Sequence, residues 1–207
     1  MIIVFGNQKG GCGKTTNCIQ FANYIADKGM ETLVLDLDFQ RSITDRRQED
    51  INTYDNEPKY EVIQANMEDL GKLIEDFTKI EKGNLLIDLP GRIDDDALIP
   101  ILKNADVIIC PFKYDKLTMD STGFFIRILE HLEAKAQIFF LPNNIKKSIR
   151  YDTKEQIYNV LSQYGKITPE IPDRVAMERV NTLVITSEAI NVVEETYNYI
   201  IKEAKIK

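Results

Sequence analysis

The chain has 207 residues, enough for one substantial hydrophobic core and short of two ordinary domains, so a single domain over 1–207 is expected. Apolar residues make up 43% and charged residues 29%, the balance of a soluble globular protein, and a formal charge of -7 argues against a surface that coats nucleic acid all round. Cys12, Cys18 and Cys110 form neither an even disulfide framework nor a C-x-x-C pair, no stretch approaches a membrane span, and the first apolar run is too short for a signal-peptide core; a reducing cytoplasm is expected.

In chain order, IIVF at 2–5 reads as a buried strand that runs into a glycine-rich loop and then an apolar-periodic helix over 15–28. LVLDL at 33–37 is the next strand. Residues 41–59 are polar, carry both signs of charge and end near Pro58, and read as an exposed excursion. A helix over 68–79 precedes the strand LLIDL at 85–89, and a short helix over 97–103 precedes VIIC at 107–110. A helix over 117–134 leads to IFFL at 138–141, and helices over 154–163 and 188–206 follow. Short apolar strands alternating with helices predict an α/β fold, a doubly wound and mostly parallel sheet with helices on both faces. Ligands are then expected beyond the carboxyl ends of the strands.

The loop after the first strand reads QKGGCGKTT at 8–16. Glycines let consecutive backbone N–H groups turn toward an anion, and the new helix adds the positive end of its dipole at the same point. Gly10, Gly11, Cys12 and Gly13 are therefore expected to cradle a triphosphate, with Lys14 neutralising its β and γ phosphates, Thr15 on Mg²⁺ and Thr16 reaching the α phosphate, in the manner of a P-loop NTPase. The expected cofactors are ATP and Mg²⁺. Asp88 ends a strand just before Pro90-Gly91, where a carboxylate can hold the magnesium hydration shell. Asp36 and Asp38, two residues apart on or just past a strand, should share a face near the phosphates. Asn143 or Asn144, after the 138–141 strand, could recognise adenine.

Lys9-Gly10-Gly11-Cys12-Gly13-Lys14-Thr15 resembles the deviant Walker A motif K-G-G-x-G-K-[ST] of the ParA/MinD family of partition and positioning ATPases. LVLDLDFQ at 33–40 is similar to that family's D-x-D-P-Q segment, with Phe39 where proline is usual, and LLIDLPG at 85–91 is similar to its Walker B strand. Ile171-Pro172-Asp173-Arg174 is similar to a late segment that gives backbone contacts near the adenine. The resemblance implies an ATP-dependent homodimer in which Lys9 reaches the phosphates bound by the partner, as an arginine finger does in trans. It also implies that Asp36 supports the magnesium shell and Asp38 orients the attacking water. The implied activity is an ATPase, weak without a partner, that binds nonspecific DNA, associates with the nucleoid and is reset by a small ParB-type centromere-binding or adaptor protein while segregating a plasmid or mobile element. A nucleotide-gated scaffold for conjugation machinery and a MinD-like membrane-surface protein are the alternatives, the latter disfavoured by Glu188, Glu194, Glu195 and Glu203 in the terminal helix.

Lys146, Lys147 and Arg150, and separately Lys202, Lys205 and Lys207, are the basic groups available to DNA phosphates. Cys12 and Cys18 read as small buried residues, His131 as a helix-surface residue, and Asp94-Asp95-Asp96 as helix N-terminal capping.

Overall fold

The computed structural model describes residues 1–37, 42–65, 67–80, 82–91 and 95–207. Its strands are β1 Ile2–Phe5, β2 Thr32–Asp36, β3 Glu61–Gln64, β4 Asn84–Asp88, β5 Val107–Phe112, β6 Gln137–Ile145, β7 Lys166–Ile167 and β8 Ile171–Pro172. They form one parallel sheet in the order β3-β2-β4-β1-β5-β6-β7, with β8 also pairing β6. The helices are α1 Lys14–Asp27, α2 Ser42–Thr53, α3 Leu70–Thr78, α4 Ile99–Asn104, α5 Lys116–His131, α6 Lys154–Leu161 and α7 Ser187–Ala204.

The central strands are buried on both sides because each pleat face meets helices. Ile2 and Val4 of β1 point into one core, with residues of α3, α4, α5 and α6. Ile3 and Phe5 point into the other, with residues of α1 and α7 and with Ile43 of α2. The expected doubly wound α/β architecture is therefore present. The chain leaves β1 for β2 on one side and later enters β5 on the other, so β1 lies between β4 and β5 with the loop after it at the reversal of strand order. Such a reversal opens a crevice at the carboxyl ends of the strands.

Within the expected exposed excursion, residues 42–53 form α2, most of whose positions are exposed. The inward positions Ile43, Arg47 and Asp50 have helical spacing, but two of the three are charged, so the segment lacks an apolar stripe. Both carboxylates that hold it are bonded to protein groups. One Asp36 oxygen accepts from the backbone N–H groups of Ile43 at 3.0 Å and Thr44 at 2.9 Å, which caps the start of α2. Asp50 accepts from the Thr182 N–H at 2.6 Å and hydroxyl at 2.9 Å, and the Arg47 guanidinium lies 4.5 Å from the Tyr60 ring centroid. Strands β3, β7 and β8 were likewise outside the expected set: β3 is a largely exposed edge strand, and the other two have two residues each.

The C-terminal helix α7 lies against α1. Tyr197 is fully buried, 5.0 Å from the Phe21 ring and 5.5 Å from the Tyr24 ring, both in tilted or edge-on contact. Its hydroxyl donates to Asn17 Oδ1 at 3.1 Å. Among the described residues, no helix is long and apolar enough to cross a membrane.

Candidate nucleotide site

β1 ends at Phe5, and the next ten residues form a loop and the first turn of α1. Gly6 has no room for a side chain, since a Cβ there would come 2.6 Å from the Phe125 ring of α5. Gly13 stands at φ 97° as the N-cap of α1, and a Cβ on it would fall 2.2 Å from Asn143 Nδ2. Both conditions explain glycine at these positions. At Gly10 and Gly11 a Cβ would meet nothing within 4 Å, so this side of the loop faces open space. That space is a cleft of about 380 Å³ lined by Gly10, Gly11, Gly13, Lys14, Thr15, Thr16, Leu89 and Gly91.

Lys14 is buried along its stem, and its ammonium donates to the Lys9 carbonyl at 3.0 Å. The Thr15 hydroxyl donates to Asp88 Oδ2 at 2.6 Å, so the two residues expected at a metal shell meet directly. Asp88 sits in register with Phe5 of β1 on one side and Asp36 of β2 on the other, which sets the two carboxylates side by side at the carboxyl edge of the sheet. These donors suit a hard divalent cation: one hydroxyl, carboxylates nearby, and a cleft open to water and phosphate oxygens. Among the described residues no group of three or more His, Cys, Asp or Glu side chains forms, so such an ion would also need ligands from water or substrate. Asp38 and Phe39 lie outside the described residues.

Cys12 points away from the cleft and donates its Sγ–H to the Lys9 carbonyl at 3.2 Å. Burial pushes its thiol pKa up, against the opposing pull of the Lys14 charge. Cys18 is buried too, as expected. Lys9 is half-buried. Asp115, the N-cap of α5, is opposed in its charged form by desolvation, yet the Thr118 N–H and hydroxyl, and then the charges of Lys9 and Lys113, hold its carboxyl below the usual aspartate range.

The structure brings Asn143 and Pro172 together on adjacent strands, where Asn143 pairs with Ile171 and Ile145 with Pro172. Asn143 does not line the phosphate cleft; its Nδ2 donates to the Cys12 carbonyl at 2.9 Å from behind the loop. Asn144 is exposed, with a left-handed φ of 61°. Asn7 and Asn17, which the sequence did not single out, also hold the loop: Asn7 Nδ2 donates to Pro111 O and Thr122 Oγ1, both at 2.9 Å, and Asn17 Nδ2 to Gly13 O at 2.8 Å. Their only sequence signal is polarity at positions flanked by core residues.

Pro172 lines a second cleft of about 900 Å³ with Lys146, Lys147, Arg150, Lys154 and Arg174. Its charges are partly balanced, since Lys146 lies 3.9 Å from Asp173, Arg150 lies 3.1 Å from Asp152, and Lys154 pairs with Glu170. Lys205 and Lys207 line a different cleft beside Met1 and Gly83, so the two basic groups do not merge. His131 is exposed on α5, and Asp95 caps the 96–98 turn by accepting from the Ala97 N–H at 2.9 Å; Asp94 lies outside the described residues.

Glu170 also accepts from the Tyr114 hydroxyl at 2.7 Å. Burial works against its charged form, but Lys154 and Tyr114 outweigh that and hold the carboxyl below the usual glutamate range. A depressed folded pKa gives stability that is fully present above the unfolded value, about 4.3, and is lost as pH falls through the lower folded value. Since the pair is partly exposed, Glu170→Gln should cost under about 1 kcal/mol at neutral pH. In melting curves, the gap between wild type and Glu170→Gln should close below about pH 4; a gap unchanged there would assign the loss to packing instead.

Residues 1–94 match the family model of an AAA domain. A 44-residue stretch is 46% identical to an uncharacterized protein of Methanocaldococcus jannaschii, and the match spans 21% of this chain and 17% of that protein's length. Among solved structures, a protein of Borrelia burgdorferi B31 assigned to plasmid partition and bound to AMPPNP superposes with a TM-score of 0.77, at 19% identity and 98% coverage of each chain. A MinC:MinD cell division complex from Aquifex aeolicus gives 0.76 at 17% identity, covering 97% of this chain and 96% of that one. An ATP complex of a Cyanothece McdA variant gives 0.74 at 14% identity, covering all of this chain, 100%, and 96% of that one. At these identities the likeness establishes the fold.

Proposed function

From the phosphate loop and the likeness in fold to a plasmid partition protein and a MinD cell division protein, we propose that the chain is a P-loop ATPase of the ParA/MinD type: an ATP-switched positioning ATPase that dimerises on ATP, binds nonspecific DNA and is reset when a partner protein stimulates hydrolysis. The observation that carries this reading is the loop 9–15 itself: an open glycine cradle with Lys14 at its base and Thr15 bonded to Asp88 at 2.6 Å. In this reading Gly10, Gly11, Cys12 and Gly13 bind phosphate through their backbone, and Thr15, Asp36 and Asp88 hold Mg²⁺. The metal, when bound, neutralises charge on the β and γ phosphates. Asp38 orients the attacking water, and Lys9 serves the partner protomer's phosphates. A cation lent by the partner makes association depend on the triphosphate.

The partner is proposed to be a small ParB-type centromere-binding or adaptor protein, and the cargo a plasmid or other mobile element, with the ATP form on the nucleoid. The larger basic cleft with Lys146, Lys147, Arg150 and Arg174 supports DNA as the surface, because phosphates can replace the partly exposed acidic partners of these cations. Membrane insertion by α7 is disfavoured: Ala189, Val193, Tyr197 and Ile200 of its apolar face are already buried in the core.

The test is binding to nonspecific duplex DNA with ATP, ADP or no nucleotide across a salt titration, beside anionic liposomes. DNA binding that needs ATP and weakens steeply with salt is expected, with Lys9→Ala losing both DNA binding and ATP-dependent dimers in sedimentation. ATP-bound dimers that hold neither DNA nor liposomes would favour the protein-scaffold reading, and Lys9→Ala dimers that persist would remove Lys9 from the interface.

A further inference from the structure

A loop whose N–H groups converge on an anion must turn carbonyls to its outer side, where each needs a donor. The Lys9 carbonyl receives Lys14 and Cys12, and the Gly13 carbonyl takes the Asn17 N–H, but the carbonyls of Cys12 and Gly13 are also met by side-chain amides. The Cys12 carbonyl receives Asn143 Nδ2 at 2.9 Å, and the Gly13 carbonyl receives Asn17 Nδ2 at 2.8 Å, with Asn17 oriented in turn by the Tyr197 hydroxyl. Asn143 is 7% exposed, and it fills the place that a Gly13 side chain would occupy. Neutral amides suit this position: a cation behind the loop would compete with Lys14 for the phosphates, and a carboxylate would repel both the carbonyls and the anion.

From this geometry we infer that Asn143 is a positioning residue for the phosphate loop, fixing its outward carbonyl so that its N–H groups stay aimed at a polyphosphate whatever base is attached. The inference rests on reading the 9–16 loop as a polyphosphate site. It differs from the expectation that Asn143 reads adenine, because a base reader acts only on ligands that carry the base. The amide nitrogen is already engaged 131 residues away in sequence, on the loop.

The experiment compares equilibrium binding of Mg-ATP and of inorganic tripolyphosphate, which has no base, to wild type, Asn143→Ala, Asn143→Asp and Asn144→Gly. The glycine preserves the left-handed backbone at 144 while deleting the side chain. Loss of one hydrogen bond that leaves a buried carbonyl unmet should weaken binding about tenfold or more. Both Asn143 variants should therefore lose affinity for ATP and tripolyphosphate by the same factor, and Asn144→Gly should leave tripolyphosphate unchanged. Weakened ATP with unaltered tripolyphosphate, or unaltered binding of both, would overturn the inference. Wild type that binds neither probe would instead overturn the nucleotide reading. If the Asn143 variants do not fold, the side-chain amide signals of Asn143 in the native protein decide: they should shift with tripolyphosphate as they do with ATP, and a shift with ATP alone would overturn the inference.

Discussion

Lys14→Ala should weaken Mg-ATP binding by roughly 30-fold or more while leaving the fold intact. The ammonium comes up through the loop from a buried stem and rests on the Lys9 carbonyl, beside the open cradle of Gly10 and Gly11. Truncating one member of a buried, hydrogen-bonded charge pair costs about 2–5 kcal/mol, a loss of roughly 30-fold to several thousand-fold in Kd. Deleting the side chain removes one loop contact and no core layer, so the melting temperature of the ligand-free protein should move little. Lys14→Arg should rescue poorly, because a planar guanidinium does not reproduce the compact ammonium that bonds the Lys9 carbonyl. Calorimetric titration with Mg-ATP measures both, and an unchanged Kd in Lys14→Ala would remove the cleft as the nucleotide site.

Tyr197→Ala is expected to have the largest effect on stability. The side chain is fully buried between α7 and α1, in edge-on contact with Phe21 and Tyr24, so its removal leaves a cavity where two helices meet. Loss of a large buried aromatic costs about 3–5 kcal/mol. Tyr197→Phe keeps the packing and deletes only the bond to Asn17, a cost of about 1 kcal/mol. Urea denaturation read at constant m-value separates the two, and near-equal losses would show that the hydroxyl, not the ring, holds α7 in place.

The fold was legible where packing rules dominate. Every inner strand is a short apolar run because both of its faces are covered, and IIVF, LVLDL, LLIDL, VIIC and IFFL each mark one. Edge elements lack that pressure: β3, reading EVIQ, has one face in solvent, and α2 is held by Asp36, Arg47 and Asp50 rather than by an apolar stripe. The phosphate loop was legible because its backbone conformation demands glycines at fixed spacing, and Asp88 because it ends a strand beside that loop. The role of the asparagines was not. Asn7 and Asn17 were not singled out and Asn143 was, but for adenine; on the loop Asn17 and Asn143 bond backbone carbonyls, which leave no residue-type signature, and Asn143 meets Cys12 from another part of the chain. Asp38, singled out by its spacing from Asp36 and by its motif, lies outside the described residues.

Helix α2 behaves mechanically as a strut. Twelve residues at about 1.5 Å rise make a rod of about 18 Å. It is riveted at its start to the sheet through Asp36 and near its far end, through Asp50, to the Thr182 segment that leads into α7. A rod fixed at both ends cannot tilt at one without loading the other or breaking a buried bond to a carboxylate. A displacement of the β2 carboxyl edge that moved α2 as a body would therefore load the bonds between Asp50 and Thr182 at the root of the last helix.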